Sequence, residues 1–368
     1  MKEFKLSSGS SIVLDLIRGL SAQIVVIGHG ISFFGIFTFL HEPNFPWMQN
    51  IAVLIFFLLS GYLITYSTVR KKMKIPGYGF KHYFSDRFSR IYTAFVPSIV
   101  FIVLIDLVSR YMNPELYSFN SAFNLKTFLA NLLMLQDHAI FSYTSSLKIT
   151  SFGSARPFWT LAIEWWIYLC FGYFILVFLR KKKINISNLI ILGFFSLVPV
   201  YNLIMGRGHG LTTYWLFGAL IYLISTLNIL NSIRQRVKII LTIMICGLAF
   251  LRAYIQMEAY DPIFAFLLAI VIWLIIDIFK NIEFSKAAVN IIRYNASYSY
   301  TLYLIHYSIL DFLFNHFSNQ FNSYILFLVG FLLSNVLSAL IGRYTELNLT
   351  KKVKQYLYTR IEIKKLST

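Results

Sequence analysis

The stretch DLIRGLSAQIVVIGHG, residues 15–30, decides how the rest of the chain is read. It has the apolarity of a membrane-spanning helix, yet it carries Asp15, Arg18 and His29. The separation between Arg18 and His29 returns almost to the same helix face at about 100° per residue. At about 1.5 Å of rise per residue the two lie roughly 16 Å apart along the axis. An ionisable group in hydrocarbon costs several kcal/mol, so a pair on one stripe points to a functional site facing the protein interior. For Arg18 alone a plainer reading stands beside it: a long side chain reaching back to the cytoplasmic headgroups.

Composition fixes the class. The 368 residues are 58% hydrophobic and only 13% charged, and the mean hydropathy is +0.67. That excludes a water-soluble domain of this size and identifies a polytopic membrane protein, all-α in fold. A net charge of +18 raises the question of a nucleic-acid partner. The lysines and arginines, however, sit in the connections between apolar runs, which is a topology signal and not a DNA-binding face. Cys170 and Cys246 both fall within apolar runs, so they form no disulfide framework and leave the redox compartment open.

Apolar runs of near-bilayer length follow one another along the chain. After the first come residues 51–68, 91–108, 158–179, 187–205, 211–227, 237–251, 262–279, 298–314 and 322–341. This predicts a bundle of about ten transmembrane helices. The first resembles a signal anchor; no small-residue cleavage site follows it, so it is expected to be retained. Residues 125–136, within the longest connection, are too short to cross and are expected to be interfacial or re-entrant. Of the 33 lysines and arginines, six (Arg110, Lys126, Lys148, Arg156, Arg207 and Arg252) fall in the outer connections and Arg18 lies within a span. The remaining 26 collect on the inner side, including RKKK at 180–183, which predicts both termini in the cytoplasm. The expected organisation is a membrane domain over residues 1–346 and a short basic cytoplasmic tail over 347–368.

The polar residues inside these spans are the candidates for chemistry. Glu164, in FWTLAIEWWIYL, lies about two turns in from the outer side, a depth at which it could meet His29. A histidine beside a carboxylate is a competent general base, because the carboxylate orients the ring and stabilises imidazolium. The same pair could instead only clamp two helices together. Arg87 and Arg90, in DRFSRIY, share one helix face at the cytoplasmic mouth of their span. With Arg18 they form a candidate cluster for phosphates or carboxylates, or else ordinary topology arginines. His306 reads as a helix–helix hydrogen bond, and Asp106 and Asp277 as interfacial residues. No metal site is expected.

Four stretches in this order resemble the acyltransferase-3 family of bacterial integral membrane acyltransferases, which modify cell-surface sugars. They are LDLIRGLSAQIVVIGHG with Arg18 and His29, FFLLSGYLIT with Ser60, FWTLAIEWWIYL with Trp159 and Glu164, and SYTLYLIHYSI with Tyr303 and His306. The Arg87–Arg90 element and the closing GRYTELN also fit. Two positions depart from the family pattern: Thr93 and Asn348 stand where prolines are usual. The family often carries an additional soluble esterase-like domain, and none is read here.

The resemblance implies transfer of an acyl group, most often acetyl, from cytoplasmic acyl-CoA to a sugar hydroxyl. His29 would be the base or transient acyl acceptor, with Glu164 as its partner. Arg18, Arg87 and Arg90 would hold the CoA side, and Ser60, Trp159, Tyr303 and His306 would support the site. Acyl-CoA would be the donor substrate, with no permanently bound cofactor. The acceptor would be a surface or lipid-linked glycan: O-antigen, capsule, exopolysaccharide or peptidoglycan. The expected location is the bacterial cytoplasmic membrane, with lipids as the surrounding partner and no nucleic acid. The alternative is a secondary transporter or flippase for a polysaccharide precursor, using His29 and Glu164 as a proton relay.

Overall fold

The computed structural model describes residues 5–142, 148–180, 185–204 and 210–366. Lys2, Lys181, Lys182, Lys183 and Arg207, which enter the charge distribution, and Met205, at the end of an expected span, lie outside the described residues. The first half of the chain forms α1 (Ser8–Phe34), α2 (Met48–Lys74), α3 (Phe80–Met112), α4 (Leu125–Leu132), α5 (Ala139–Ser142), α6 (Phe158–Leu176) and α7 (Ile186–Ile204). The second half forms α8 (Leu211–Ser225), α9 (Gln235–Gln256), α10 (Pro262–Ile278), α11 (Lys286–Ser297), α12 (Ser299–Phe317), α13 (Ser323–Gly342) and α14 (Thr350–Leu366). Among the described residues there is no strand.

Among the described residues eight helical segments are long and apolar enough to cross a membrane. The other two expected spans are helices of a different kind. The 15 residues of α8 fall short of the roughly 20 that a bilayer requires. The α12 helix carries Ser299, Thr301, His306, Ser308 and Asp311 as buried polar residues, which lowers its apolarity.

The chain folds into two compact units. The first combines Met1–Lys74 with Thr213–Ser299. Here α1 packs on α2, α10 and α11, and α9 packs on α10. Ser7 caps α1 by accepting from the Ser10 amide at 3.1 Å, and Gly35 ends it in the left-handed conformation. Ser10 Oγ donates to the Ile276 carbonyl at 2.7 Å, and Gln23 Nε2 donates to Asn295 Oδ1 at 2.9 Å. Asp277, expected at the interface, pairs with Lys238 at 2.5 Å. Much of α9 faces outward with apolar side chains (Ile240, Ile243, Met244, Leu248 and Leu251), a surface suited to lipid.

In this unit α2 and α8 approach closely, and two glycines permit it. A Cβ on Gly61 would lie 1.9 Å from the Trp215 carbonyl oxygen, and one on Gly218 would lie 2.0 Å from the Leu58 carbonyl oxygen. Backbone meets backbone there, as small residues allow between membrane helices. Ser60 sits at the same crossing and accepts from Trp215 Nε1 at 3.0 Å.

The second unit combines Ile75–Thr212 with Tyr300–Thr368. Its α3 helix has 33 residues, about 50 Å at 1.5 Å per residue, and outgrows the roughly 30 Å hydrocarbon layer. Residues 125–136, expected to be interfacial or re-entrant, contain the eight-residue α4, too short to cross, with Leu125, Leu129 and Leu133 exposed on one side. Asp106 is not an exposed interfacial residue. It is 2% exposed and accepts from Tyr117 Oη at 2.8 Å, from the Ser154 amide at 2.9 Å and from Ser154 Oγ at 2.6 Å. Burial and the adjacent Asp106 push the Tyr117 hydroxyl far above its usual range, so it stays a donor. The long connection is also tied to α6 by Trp166 Nε1 donating to the Met134 carbonyl at 2.7 Å and by Gln136 Nε2 donating to the Phe158 carbonyl at 2.9 Å. The segment expected as a basic tail is helical as α14 and packs along α3.

The α2–α8 crossing gives a direct test. Gly61→Val should destabilise the protein by about 1–3 kcal/mol or more, because the new side chain meets backbone with no room to yield. Gly247→Ala, on α9 with nothing within 4 Å of the added carbon, should leave stability unchanged or raised. Thermal unfolding of the two variants in detergent reads the difference.

Candidate functional site

Arg18 and His29 lie on one uninterrupted helix, so the stripe expected from their spacing is realised on α1. Arg18 Nη2 donates to Asp15 Oδ1 at 2.9 Å, an i,i+3 ion pair with both side chains partly exposed. His29 is half-buried near the C-terminal end of α1, next to Gly28, whose backbone lies against Gln49 on α2. These residues and Ser60 belong to the first unit, whereas Arg87, Arg90, Trp159, Glu164, Tyr303 and His306 belong to the second.

In the second unit α3 presents its two arginines in different states. The Arg87 guanidinium lies 5.8 Å from the Tyr83 ring centroid and 6.0 Å from that of Tyr168, a cation held between two aromatic faces. Among the described residues no carboxylate lies within ion-pair distance of it, and its occluded Nε has no hydrogen-bond partner. Tyr168, one turn beyond Glu164 on α6, donates its hydroxyl to Glu164 Oε1. Arg87 and Glu164 are thus brought together through one tyrosine.

Arg90, one turn further along α3, pairs instead with Glu346 at 3.3 Å and lies 5.9 Å from the Tyr300 ring centroid. Glu346 sits in a π-helical turn, Arg343–Leu349, that links α13 to α14. It is 4% exposed, and its Oε1 accepts from the Thr301 amide at 2.9 Å and from Thr301 Oγ1 at 2.8 Å. Thr301 is in the first turn of α12, so Glu346 caps that helix from another part of the chain and complements its dipole. The sequence singled out Glu346 only as part of the closing motif.

Asp86, beside Arg87 in sequence, is a second hub that sequence reading missed. It is 4% exposed, forms an ion pair with Lys354 at 2.9 Å, and accepts from Tyr78 Oη at 2.8 Å and from Tyr358 Oη at 3.1 Å. Burial and the charge of Asp86 push the Tyr78 hydroxyl far above its usual range, which keeps it protonated as a donor. Through Lys354 and Tyr358 this hub anchors α14 on the α3 turn that carries Arg87.

The supporting residues have plain structural partners. The Tyr303 and Thr160 hydroxyls are 2.5 Å apart and join α12 to α6 beside Trp159. His306, fully buried, bonds through Nδ1 to the Leu302 carbonyl of its own helix at 3.0 Å, where a bond to a neighbouring helix was expected. Thr93, at a position where proline is usual, donates to the Ser89 carbonyl at 2.7 Å. Among the described residues no cluster of three His, Cys, Asp or Glu side chains could hold a metal ion. Chemically, the second unit offers a guanidinium with no carboxylate at ion-pair distance among the described residues, and the first offers an imidazole on an apolar helix.

A family model described as an acyltransferase domain matches residues 12–343 of this chain. Peptidoglycan O-acetyltransferase OatA of Listeria monocytogenes serovar 1/2a is 31% identical over 167 residues, which is 43% of this chain and 25% of that protein. The chain therefore matches about a quarter of that relative's length. No solved structure matches it.

Glu346→Ala should lower stability by about 3–5 kcal/mol, since it leaves Arg90 and two Thr301 donors without their shared acceptor. Glu346→Gln keeps an oxygen for Thr301 and should cost less. Melting curves of the detergent-solubilised variants check the order.

Proposed function

This chain belongs to the acyltransferase-3 family and is an acyltransferase, and we propose that it moves an acyl group, first of all acetyl, from acyl-CoA to a sugar hydroxyl of a cell-surface glycan. The observation that carries the donor side is Arg87, a guanidinium cradled by Tyr83 and Tyr168 with no ion-pair partner among the described residues. Arg87 is half-buried, and a phosphate-bearing donor supplies a counter-charge in the bidentate geometry a guanidinium favours. Arg90, one turn along α3, adds positive charge near Arg87, and Arg18 of the first unit is a further candidate for the donor. The inner-side excess of lysine and arginine supports a cytoplasmic donor. The peptidoglycan named for the Listeria relative supports a carbohydrate polymer with free hydroxyls as the acceptor.

His29 takes the proton from the acceptor hydroxyl, whose oxygen attacks the thioester carbonyl carbon. The tetrahedral intermediate collapses with cleavage of the C–S bond, and the CoA thiolate leaves with the proton that His29 returns. A two-step variant, in which His29 itself carries the acyl group, uses the same residue. Glu164, held by Tyr168, is required for the reaction in either form. Family membership favours this reading over a secondary transporter.

Purified protein incubated with radiolabelled acetyl-CoA and a glycan acceptor provides the test. His29→Ala should lower CoA release and glycan labelling by at least about 100-fold, the lower range for loss of a general base. Glu164→Gln should lower both as well. Turnover within a few-fold of wild type in His29→Ala would remove His29 from the mechanism. Folded wild type that neither turns over nor binds acetyl-CoA would overturn the reading and favour transport.

A further inference from the structure

The N-terminal end of α1 and the C-terminal ends of α8 and α10 enclose a small cavity within the first unit. Its volume is about 30 Å³, room for a compact polar group and not for an acyl chain. Lys5, just ahead of α1, and Lys280, just beyond α10, line it, and both are exposed. Among the described residues neither has a carboxylate within ion-pair distance. Lys280 Nζ meets only a neutral acceptor, Asn231 Oδ1, at 3.3 Å.

The other polar groups of the wall are largely committed to the fold. Ser10 Oγ gives its proton to the Ile276 carbonyl, and Ser225 Oγ donates to the Ile221 carbonyl at 2.7 Å. Asp277 also lines the cavity, but Lys238 pairs with it at 2.5 Å and balances its charge. The donors left over are the two ammonium groups and Asn228 Nδ2, whose bond to the Thr226 carbonyl is stretched to 3.5 Å. Two unbalanced cations beside an amide match an anion, and lysine binds phosphate as a point charge.

The rim says how that anion arrives. Leu227 and Ile229, on either side of Asn228, are 67% and 50% exposed, and Ile282, two residues past Lys280, is also exposed. Both α1 and α10 are long and apolar enough to cross a membrane. The excess of lysine and arginine on this side assigns their ends here to the inner leaflet. A soluble anion gains nothing from the apolar rim. A lipid does, because its phosphate enters the cavity while its chains stay outside. Trp273, in the wall, is the residue type that sits at headgroup level. Basic pockets between transmembrane helices on the cytoplasmic side bind anionic headgroups.

We propose that this cavity takes the phosphate of an anionic phospholipid of the inner leaflet, held by Lys5, Lys280 and Asn228. The bound headgroup ties the start of α1, the helix that carries Arg18 and His29, to the end of α10. The site uses none of the groups assigned to acyl transfer, so it stands or falls independently of that reaction.

The test compares wild type, Lys5→Gln/Lys280→Gln and a control with the same loss of charge, Lys351→Gln/Lys352→Gln, at exposed positions of α14. Melting temperature in neutral detergent is followed as phosphatidylglycerol is titrated in, with phosphatidylcholine, glycerol 3-phosphate and CoA as separate arms. Phosphatidylglycerol should raise melting of wild type and of the α14 control with the same midpoint, and phosphatidylcholine should not. In the double variant the midpoint should move up by about 30-fold, roughly fivefold for each lysine near an anionic surface. If that variant fails to fold, Lys5→Gln and Lys280→Gln singly should each show the fivefold shift, and Lys280→Arg, which keeps the charge, should show little. Equal midpoints in wild type and the Lys5 and Lys280 variants, or an equal shift in the α14 control, would overturn the site. Protection by glycerol 3-phosphate or CoA equal to that by phosphatidylglycerol would overturn the lipid as its ligand.

Discussion

Glu346 is the carboxylate on which the second unit turns. A charge that is 4% exposed persists only with compensating partners, and Glu346 has the Thr301 amide and hydroxyl as donors and Arg90 as an ion-pair partner. Its placement comes from the π-helical turn between α13 and α14, a local departure from α geometry of the kind often found at functional positions. By capping α12 and fixing Arg90, one side chain sets the start of a helix and the direction of a cation.

Asp86 performs the matching task on the other side of Arg87. Lys354, Tyr78 and Tyr358 engage its oxygens, so it is neutralised without drawing on Arg87. Two arginines that look equivalent in DRFSRIY thus divide: Arg90 is paired with Glu346, and Arg87 has no carboxylate within ion-pair distance among the described residues. Helix periodicity explains why they share a face. It does not explain which of them is paired, because the partners come from positions 86, 346 and 354, brought together only by tertiary packing.

The long apolar helices were legible because their length and hydrophobicity exceed anything a soluble domain needs. Arg18 and His29 fell on one stripe of α1 because nothing interrupts that helix. The two weaker spans were harder to read, since α8 is short and α12 buries a row of polar residues that sequence hydropathy counts against crossing. Asp106 looked interfacial by its place in the run, yet Tyr117 and Ser154 in the long connection fold back onto it. Asp86 and Glu346 were missed for a related reason: Tyr358 lies 272 residues from Asp86, and a π-turn breaks the period that places Glu346. The chain also leaves the first unit after Lys74 and returns at Thr213, an interleaving that no composition shift marks.

We propose above that Arg87 is the cation reserved for the donor. Titration of unacylated CoA into wild type and Arg87→Met, at low and high salt, tests it without any chemistry. Binding should weaken by about tenfold or more in the variant, about 1.4 kcal/mol, and lose much of its salt dependence, with the melting temperature unchanged. Equal affinity and equal salt dependence in the two proteins would contradict the account.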